Sequence, residues 1–230
     1  MKNVILETQE EVNAFAGTSI EGDLTIEGSD ISDLAPLSTL TFVGGDLVIW
    51  HNASLTKLDG LRNITSVGGD LSIRRNASLT SIDGLSNLAS VGGFLSIMDN
   101  PALVNVDGLS NLISVGGDIE IGYNLALANI DGLSKVTSVS GVLVIRNNDS
   151  LTNLDGLSNI TYVSGDIVIW HNSALTNLDG LSNITFVGGT LGITHNPALT
   201  NLNGLCKITG NKIKKYRETL LTIKDIFRIF

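Results

Sequence analysis

Gly44 to Val67 reads GGDLVIWHNASLTKLDGLRNITSV, and the next 24 residues, Gly68 to Val91, read GGDLSIRRNASLTSIDGLSNLASV. Seven such copies follow one another without insertion, the last being GGTLGITHNPALTNLNGLCKITG from Gly188 to Gly210. A shorter copy, GDLTIEGSDISDLAPLSTLTFV from Gly22 to Val43, precedes them and lacks the central Asn, as a terminal unit often does. A fixed period of this length marks a tandem-repeat solenoid. Within a unit, Leu47 and Ile49 alternate as in a strand, after which Leu55, Leu58, Leu61, Ile64 and Val67 recur every three residues. The alternation predicts a short strand over 46–50 and its equivalents. The mid-unit Asp-Gly pair and the β-branched residues speak against helix in the remainder, so each unit is one turn of a coil. One coil cannot bury its apolar side chains alone, and stacking at about 4.8 Å per strand gives a body roughly 35–40 Å long.

Two polar columns belong to this scaffold. Asn52, Asn76, Asn100, Asn124, Asn148, Asn172 and Asn196 hold one position in seven units, where an amide can donate and accept at a bend and form a ladder between coils. Asp59-Gly60, Asp83-Gly84, Asp107-Gly108, Asp131-Gly132, Asp155-Gly156 and Asp179-Gly180, continued by Asn203-Gly204, place a turn-forming side chain before a glycine expected at positive φ. The in-register acids lack the glycine-rich loops of calcium-binding β-rolls, so no metal is expected. The N-x-S/T triplets at Asn52, Asn63, Asn76, Asn148, Asn159 and Asn183 arise from the repeat itself.

Composition narrows the class further. The net charge of −9 divides into −13 on residues 1–210 and +4 on 211–230. An acidic body of this kind repels nucleic acid and anionic membrane. A single cysteine, Cys206, excludes a disulfide scaffold. No apolar run is long enough for a membrane span, and the opening MKNVILETQEEVNAFA has no apolar core of an export signal.

The half-unit Leu47-x-Ile49-x-x-Asn52 matches the strand half of a leucine-rich repeat, and VGGDLSIRRNASLTSIDGLSNLASV resembles the receptor L-domain type of repeat. VILETQEEVNAFAGTSIEGDLTIEGSDISDLAPL looks like the N-terminal cap of bacterial members. The resemblance covers residues 3 to about 210. It implies a right-handed parallel β-solenoid of about eight coils, a secreted or cell-surface setting, and recognition in place of catalysis. It departs from the family in two respects: Val67 precedes Leu71 by four residues where the ordinary consensus has three, and the cap cysteines of animal receptors are missing.

The seven copies differ from each other mainly in outward columns. Position 46 and its equivalents read Asp, Asp, Phe, Asp, Val, Asp, Thr. The column at position 50 reads Trp50, Arg74, Met98, Gly122, Arg146, Trp170, Thr194, and the next reads His51, Arg75, Asp99, Tyr123, Asn147, His171, His195. Both tryptophans and all three histidines of the chain fall in these two adjacent columns. Alternation along the strand turns Asp46, Val48 and Trp50 to one outer face. Aromatic and Arg side chains exposed on a rigid scaffold suit recognition, and the expected ligand-binding face is Trp50, His51, Arg74, Arg75, Met98, Tyr123, Arg146, Trp170, His171 and His195. The ligand expected there is a protein or a glycan. Drift on an exposed column is the alternative, which leaves a structural spacer. His171 and His195 are expected one coil apart but have no constant carboxylate, Cys or nucleophilic Ser beside them, so neither catalysis, a cofactor nor a metal is expected. The in-register hydroxyls of Ser54-Leu55-Thr56 and its equivalents would suit an ice-binding face, but Val104 and Ala128 interrupt them.

The ends read differently. Residues 1–21 form a cap in which Thr8-x-x-Glu11 opens a short helix from Gln9 to Phe15, with Val12 and Phe15 covering the first coil. Residues 22–210 are the solenoid. In 211–230, Ile213, Tyr216, Leu220, Ile223, Phe227 and Phe230 form one apolar stripe of a basic amphipathic helix that caps the last coil, associates weakly with a second copy of an otherwise monomeric chain, or meets a membrane.

Overall fold

In a computed structural model, residues 2–208 are described. Nine parallel strands form one sheet in strict chain order, each paired with the strand one coil away: Val4–Leu6, Leu24–Ile26, Leu47–Trp50, Leu71–Arg74, Leu95–Met98, Ile119–Gly122, Leu143–Arg146, Ile167–Trp170 and Leu191–Thr194. The register is one full repeat, so Leu47 faces Leu71, Ile49 faces Ile73 and Trp50 faces Arg74. A parallel solenoid is what the 24-residue period predicts. The first strand was not legible in the sequence: Val4–Leu6 lies inside the segment read as a cap, and its pairing with Leu24–Ile26 adds a coil before the first recognisable unit.

Inside the coil, the residues read as inward are fully shielded; Leu47, Ile49, Leu55, Leu58, Leu61 and Ile64 are each 0% exposed. The N-terminal end is closed by the helix Gln9–Ala14. Thr8 accepts the Glu11 N–H at 3.2 Å, as the capping pattern requires. The Glu11 carboxylate reaches the Glu7 N–H at 2.6 Å. Val12 is buried and Phe15, just past the helix end, packs against the core. The helix expected over 211–230 lies outside the described residues.

The Asp-Gly pairs are short 3₁₀ turns such as Asp83–Leu85. Their glycines do not have positive φ. A Cβ on Gly84 would lie 1.7 Å from the Leu58 carbonyl oxygen of the preceding coil. Glycine is therefore required by coil-to-coil approach, which corrects the conformational reason expected from sequence.

The Asn ladder forms as expected. Asn76 Nδ2 donates to the Ile49 carbonyl at 3.0 Å while its backbone N–H donates to Asn100 Oδ1 at 3.1 Å. The seven amides are at most 1% exposed. Burial closes Asn52, Asn76 and Asn148 to glycosylation. A second amide column went unread: Asn63, Asn87, Asn111, Asn159 and Asn183 each donate Nδ2 to a carbonyl of the preceding coil at 2.6–3.0 Å.

Opposite the main sheet, two-residue strands form a five-stranded sheet ending at Ser114–Val115 and a three-stranded one starting at Ser138–Val139. The break falls where Ser140 replaces the first glycine of the repeat. In that column a Cβ would sit 1.9–2.1 Å from the preceding coil's carbonyl oxygen, as at Gly68, Gly92 and Gly116. Ser164 makes the same replacement one coil later with the ladder intact, its N–H donating to the Val139 carbonyl at 2.9 Å, so the serine accompanies the break without by itself accounting for it.

Candidate recognition surface

Position 46 is structural. The Asp46 carboxylate accepts the Asp70 N–H at 2.8 Å, Asp70 accepts from Phe94 at 2.8 Å, and Asp118 accepts from Val142 at 2.7 Å. The variation in this column, read from sequence as part of a variable outer face, is variation in a backbone cap.

The position-51 column has a conformational signature. His51, Arg75, Asp99, Tyr123, Asn147, His171 and His195 all have φ between 53° and 59°. This left-handed region costs an L-residue roughly 1–2 kcal/mol, and Asn, Asp and His are the side chains that tolerate it best. Five of the seven are of those three types, so the gathering of all the histidines here has a backbone cause that sequence reading could not see. Arg75 and Tyr123 are not explained that way. Glycine, the least costly choice, occupies none of the seven positions.

The position-50 column is partly sunk. Trp50 is 36% exposed, but Met98 is buried at 5%, which corrects its assignment to the open face. The cause is Gly122 beside it: a Cβ there would lie 3.0 Å from the Met98 sulfur and 2.9 Å from Arg146 Cγ, so both neighbours close over the missing side chain.

The remaining residues gather into three groups along the axis. At one end Trp50 and His51 have ring centroids 5.9 Å apart, with the Arg75 guanidinium 6.0 Å from the indole centroid. In the centre, Arg74 donates through Nε and Nη2 to Ser96 Oγ at 3.0 and 2.7 Å, which leaves Ser96 fully buried. Its Nη2 also stands 3.6 Å from Glu120, which takes Arg146 Nη2 at 2.7 Å. Arg146 lies over the Tyr123 ring at 5.0 Å. At the far end Trp170 tilts against His171 at 5.2 Å, and His171 stacks on His195 at 4.4 Å with 19° between planes. Glu120, the residue that organises the centre, was missed. It occupies the position equivalent to Val48, Ser72 and Val144, and a lone carboxylate between two arginine coils was its only sequence signal. Shallow depressions separate these groups; one of about 350 Å³ is lined by Val48, Trp50, Ser72, Arg74, Arg75 and Asp99. Among the described residues no group of three or more His, Cys, Asp or Glu is placed to hold a metal ion.

Nine parallel strands in one-repeat register, closed by 3₁₀ turns and a buried Asn ladder, make this a leucine-rich-repeat-type β-solenoid. Residues 113–207 match the receptor L domain family. The match lies over the later coils, which are similar to a receptor L domain. Among solved structures, an internalin (inlF) from Listeria monocytogenes is similar at 12% identity, with 91% of this chain and 89% of that chain covered and a TM-score of 0.23. At that score nothing about this surface transfers from it. No curated protein matches the chain.

Proposed function

We propose that this receptor L-domain-like chain is a non-enzymatic recognition and adhesion module. It acts outside the cell or on its surface, and it binds a protein or glycan ligand through the outer face of its long strands. The observation that carries this reading is the retention of large side chains where the backbone favours their absence. Arg75 and Tyr123 stand at φ 55°, in a column no other feature of the scaffold requires to be bulky. Unfavourable backbone of this kind persists where the side chain has work to do. Each also touches the neighbouring column, Arg75 at Trp50 and Tyr123 under Arg146, so the two columns form one surface of aromatic and Arg groups, the residue types that dominate recognition energetics. The receptor L-domain match supports interaction as the role. Among the described residues no helix is long and apolar enough to cross a membrane.

The test is a binding screen of the purified chain against arrayed glycans and surface proteins, run beside a Trp50→Ala, Trp170→Ala double variant of matched melting temperature. The expected result is at least one ligand retained by the parent and lost by the variant. A chain that binds nothing, or whose ligands are indifferent to the double substitution, overturns the reading in favour of a structural spacer.

A further inference from the structure

Along the outer face, the order of side chains at position 50 is Trp, Arg, Met, Gly, Arg, Trp from Trp50 to Trp170. The strings Val48-Ile49-Trp50-His51-Asn52 and Val168-Ile169-Trp170-His171-Asn172 are identical and sit five coils apart, about 24 Å at the spacing of adjacent strands. Between them the main sheet carries an Arg74–Glu120–Arg146 triad in which two guanidiniums share one carboxylate. The triad keeps one uncompensated positive charge, and Arg75 stands close by in a depression it shares with Asp99. Of the four arginines among the described residues, three lie here, while residues 1–210 as a whole carry −13. The face is a small cationic island in an acidic surround. Such a field admits one localised anion and repels a polyanion.

Arg146 shows how the anion would be held. It meets Glu120 through Nη2 alone. Its Nε and the indole Nε1 of Trp170 are both shut from solvent without a hydrogen-bond partner. These residues are direct cross-strand neighbours. Two buried donors left unpaired on paired residues of adjacent strands are costly and call for an acceptor. A carboxylate on the Nε edge of Arg146 would make the bidentate pair its geometry favours, with one oxygen in reach of the indole N–H. The Cγ of Arg146 leans into the space left by Gly122, and swinging out of it exposes that edge.

A protein partner fits this face less well. Its exposed large apolar groups are Trp50, Tyr123 and Leu125, at 36%, 37% and 48%; only Tyr123 and Leu125 share a depression, beside Arg75 and Asp99, a small and charge-edged patch compared with the apolar centre of a protein interface. Separated aromatic faces flanking a charged centre suit a chain whose units are apolar on one side and hydroxylated on the other.

We propose that the strand face binds a linear glycan lying along the solenoid axis, with the carboxylate of an acidic sugar seated at Arg146 and Arg74 and neutral sugars stacked toward Trp50 and Trp170; this rests on the recognition role proposed above. Glu120 is a positioning residue that holds both guanidiniums over the sheet. The test is calorimetric titration of the full chain with hexasaccharides of hyaluronan and of unsulfated chondroitin, in which acidic and neutral sugars alternate. The same oligosaccharides with their carboxyl groups reduced to alcohols, and a heparin hexasaccharide, serve as controls. The expected result is binding of at least one alternating acidic hexasaccharide about tenfold or more tighter than its reduced form, the worth of one charge-assisted bidentate contact, with heparin no better. Arg146→Gln should erase the difference between native and reduced forms, Arg146→Lys should restore part of it, and Trp50→Ala should weaken both forms alike. Arg62→Gln, outside this face, should change nothing. Equal binding of native and reduced sugars, a preference that survives Arg146→Gln, tighter binding of heparin, or no binding by either acidic hexasaccharide overturns the proposal. Capture of a protein ligand lost with Trp50 and Trp170 would overturn it while leaving the recognition role standing.

Discussion

Replacing Asn124 with Ala tests the argument that buried amides, as much as leucines, hold the coils together. Asn124 is fully buried. Its Nδ2 donates to the Ile97 carbonyl at 2.9 Å, and its Oδ1 accepts the Asn100 N–H at 3.1 Å. Alanine orphans that N–H in the core, at about 1–3 kcal/mol, and removes one bond from the Ile97 carbonyl, at about 1 kcal/mol, for a total of roughly 2–4 kcal/mol. For a chain of this size each kcal/mol shifts the melting temperature by about 2–4 °C, so a fall of roughly 5–15 °C is expected. The comparison that isolates the ladder is Asn196→Ala. Asn196 caps the Asn172 N–H in the same way, but in the last repeat, where fewer coils depend on it, so the loss should be smaller. Urea denaturation followed by circular dichroism measures both. A change under about 1 kcal/mol for Asn124→Ala, or one no greater than for Asn196→Ala, would refute the reasoning and return the stability of the stack to apolar burial alone.

Ser140→Gly restores the first glycine of the repeat at the break between the two short sheets and should slow amide exchange at Thr137 and Gly141; no added protection at those amides would show that the break has another cause. Asp107 has its carboxyl pKa raised, chiefly by burial and then by the like charges of Asp131 and Asp83. A carboxylate whose pKa is raised in the folded state opposes folding when ionised, so its penalty is full above the raised value and is relieved as pH falls toward the ordinary carboxylate range. Asp107→Asn should therefore stabilise the chain at neutral pH, with the gain shrinking as pH falls toward about 4, the range of an unperturbed Asp, and absent below it. Parallel melting curves of parent and variant across that range check the sign, and a gain that grows on acidification would contradict it.

The sequence by itself determined the stack. A 24-residue period with Leu47 and Ile49 alternating, and Asn52 returning in every later unit, admits one economical solution, because each coil can satisfy its apolar and amide groups only against a copy of itself. The ends were legible in part: Thr8 and Glu11 announced the capping helix, but Val4–Leu6, too short to show alternation, was absorbed into the cap. The tertiary structure decided what the columns mean. Asp46 and Trp50 are both outward by alternation. Only coordinates show that Asp46 is bound to the backbone of the next coil, that Met98 sinks beside Gly122, and that Glu120 draws together arginines 72 residues apart. Likewise the left-handed φ at His51 and its equivalents follows each strand at its exit from the sheet, and the Asn, Asp and His that favour it gain that meaning only once the backbone is seen. Periodicity reports what repeats, whereas a surface is made by what differs between coils, and those differences acquire meaning only when stacking brings distant residues within reach of each other.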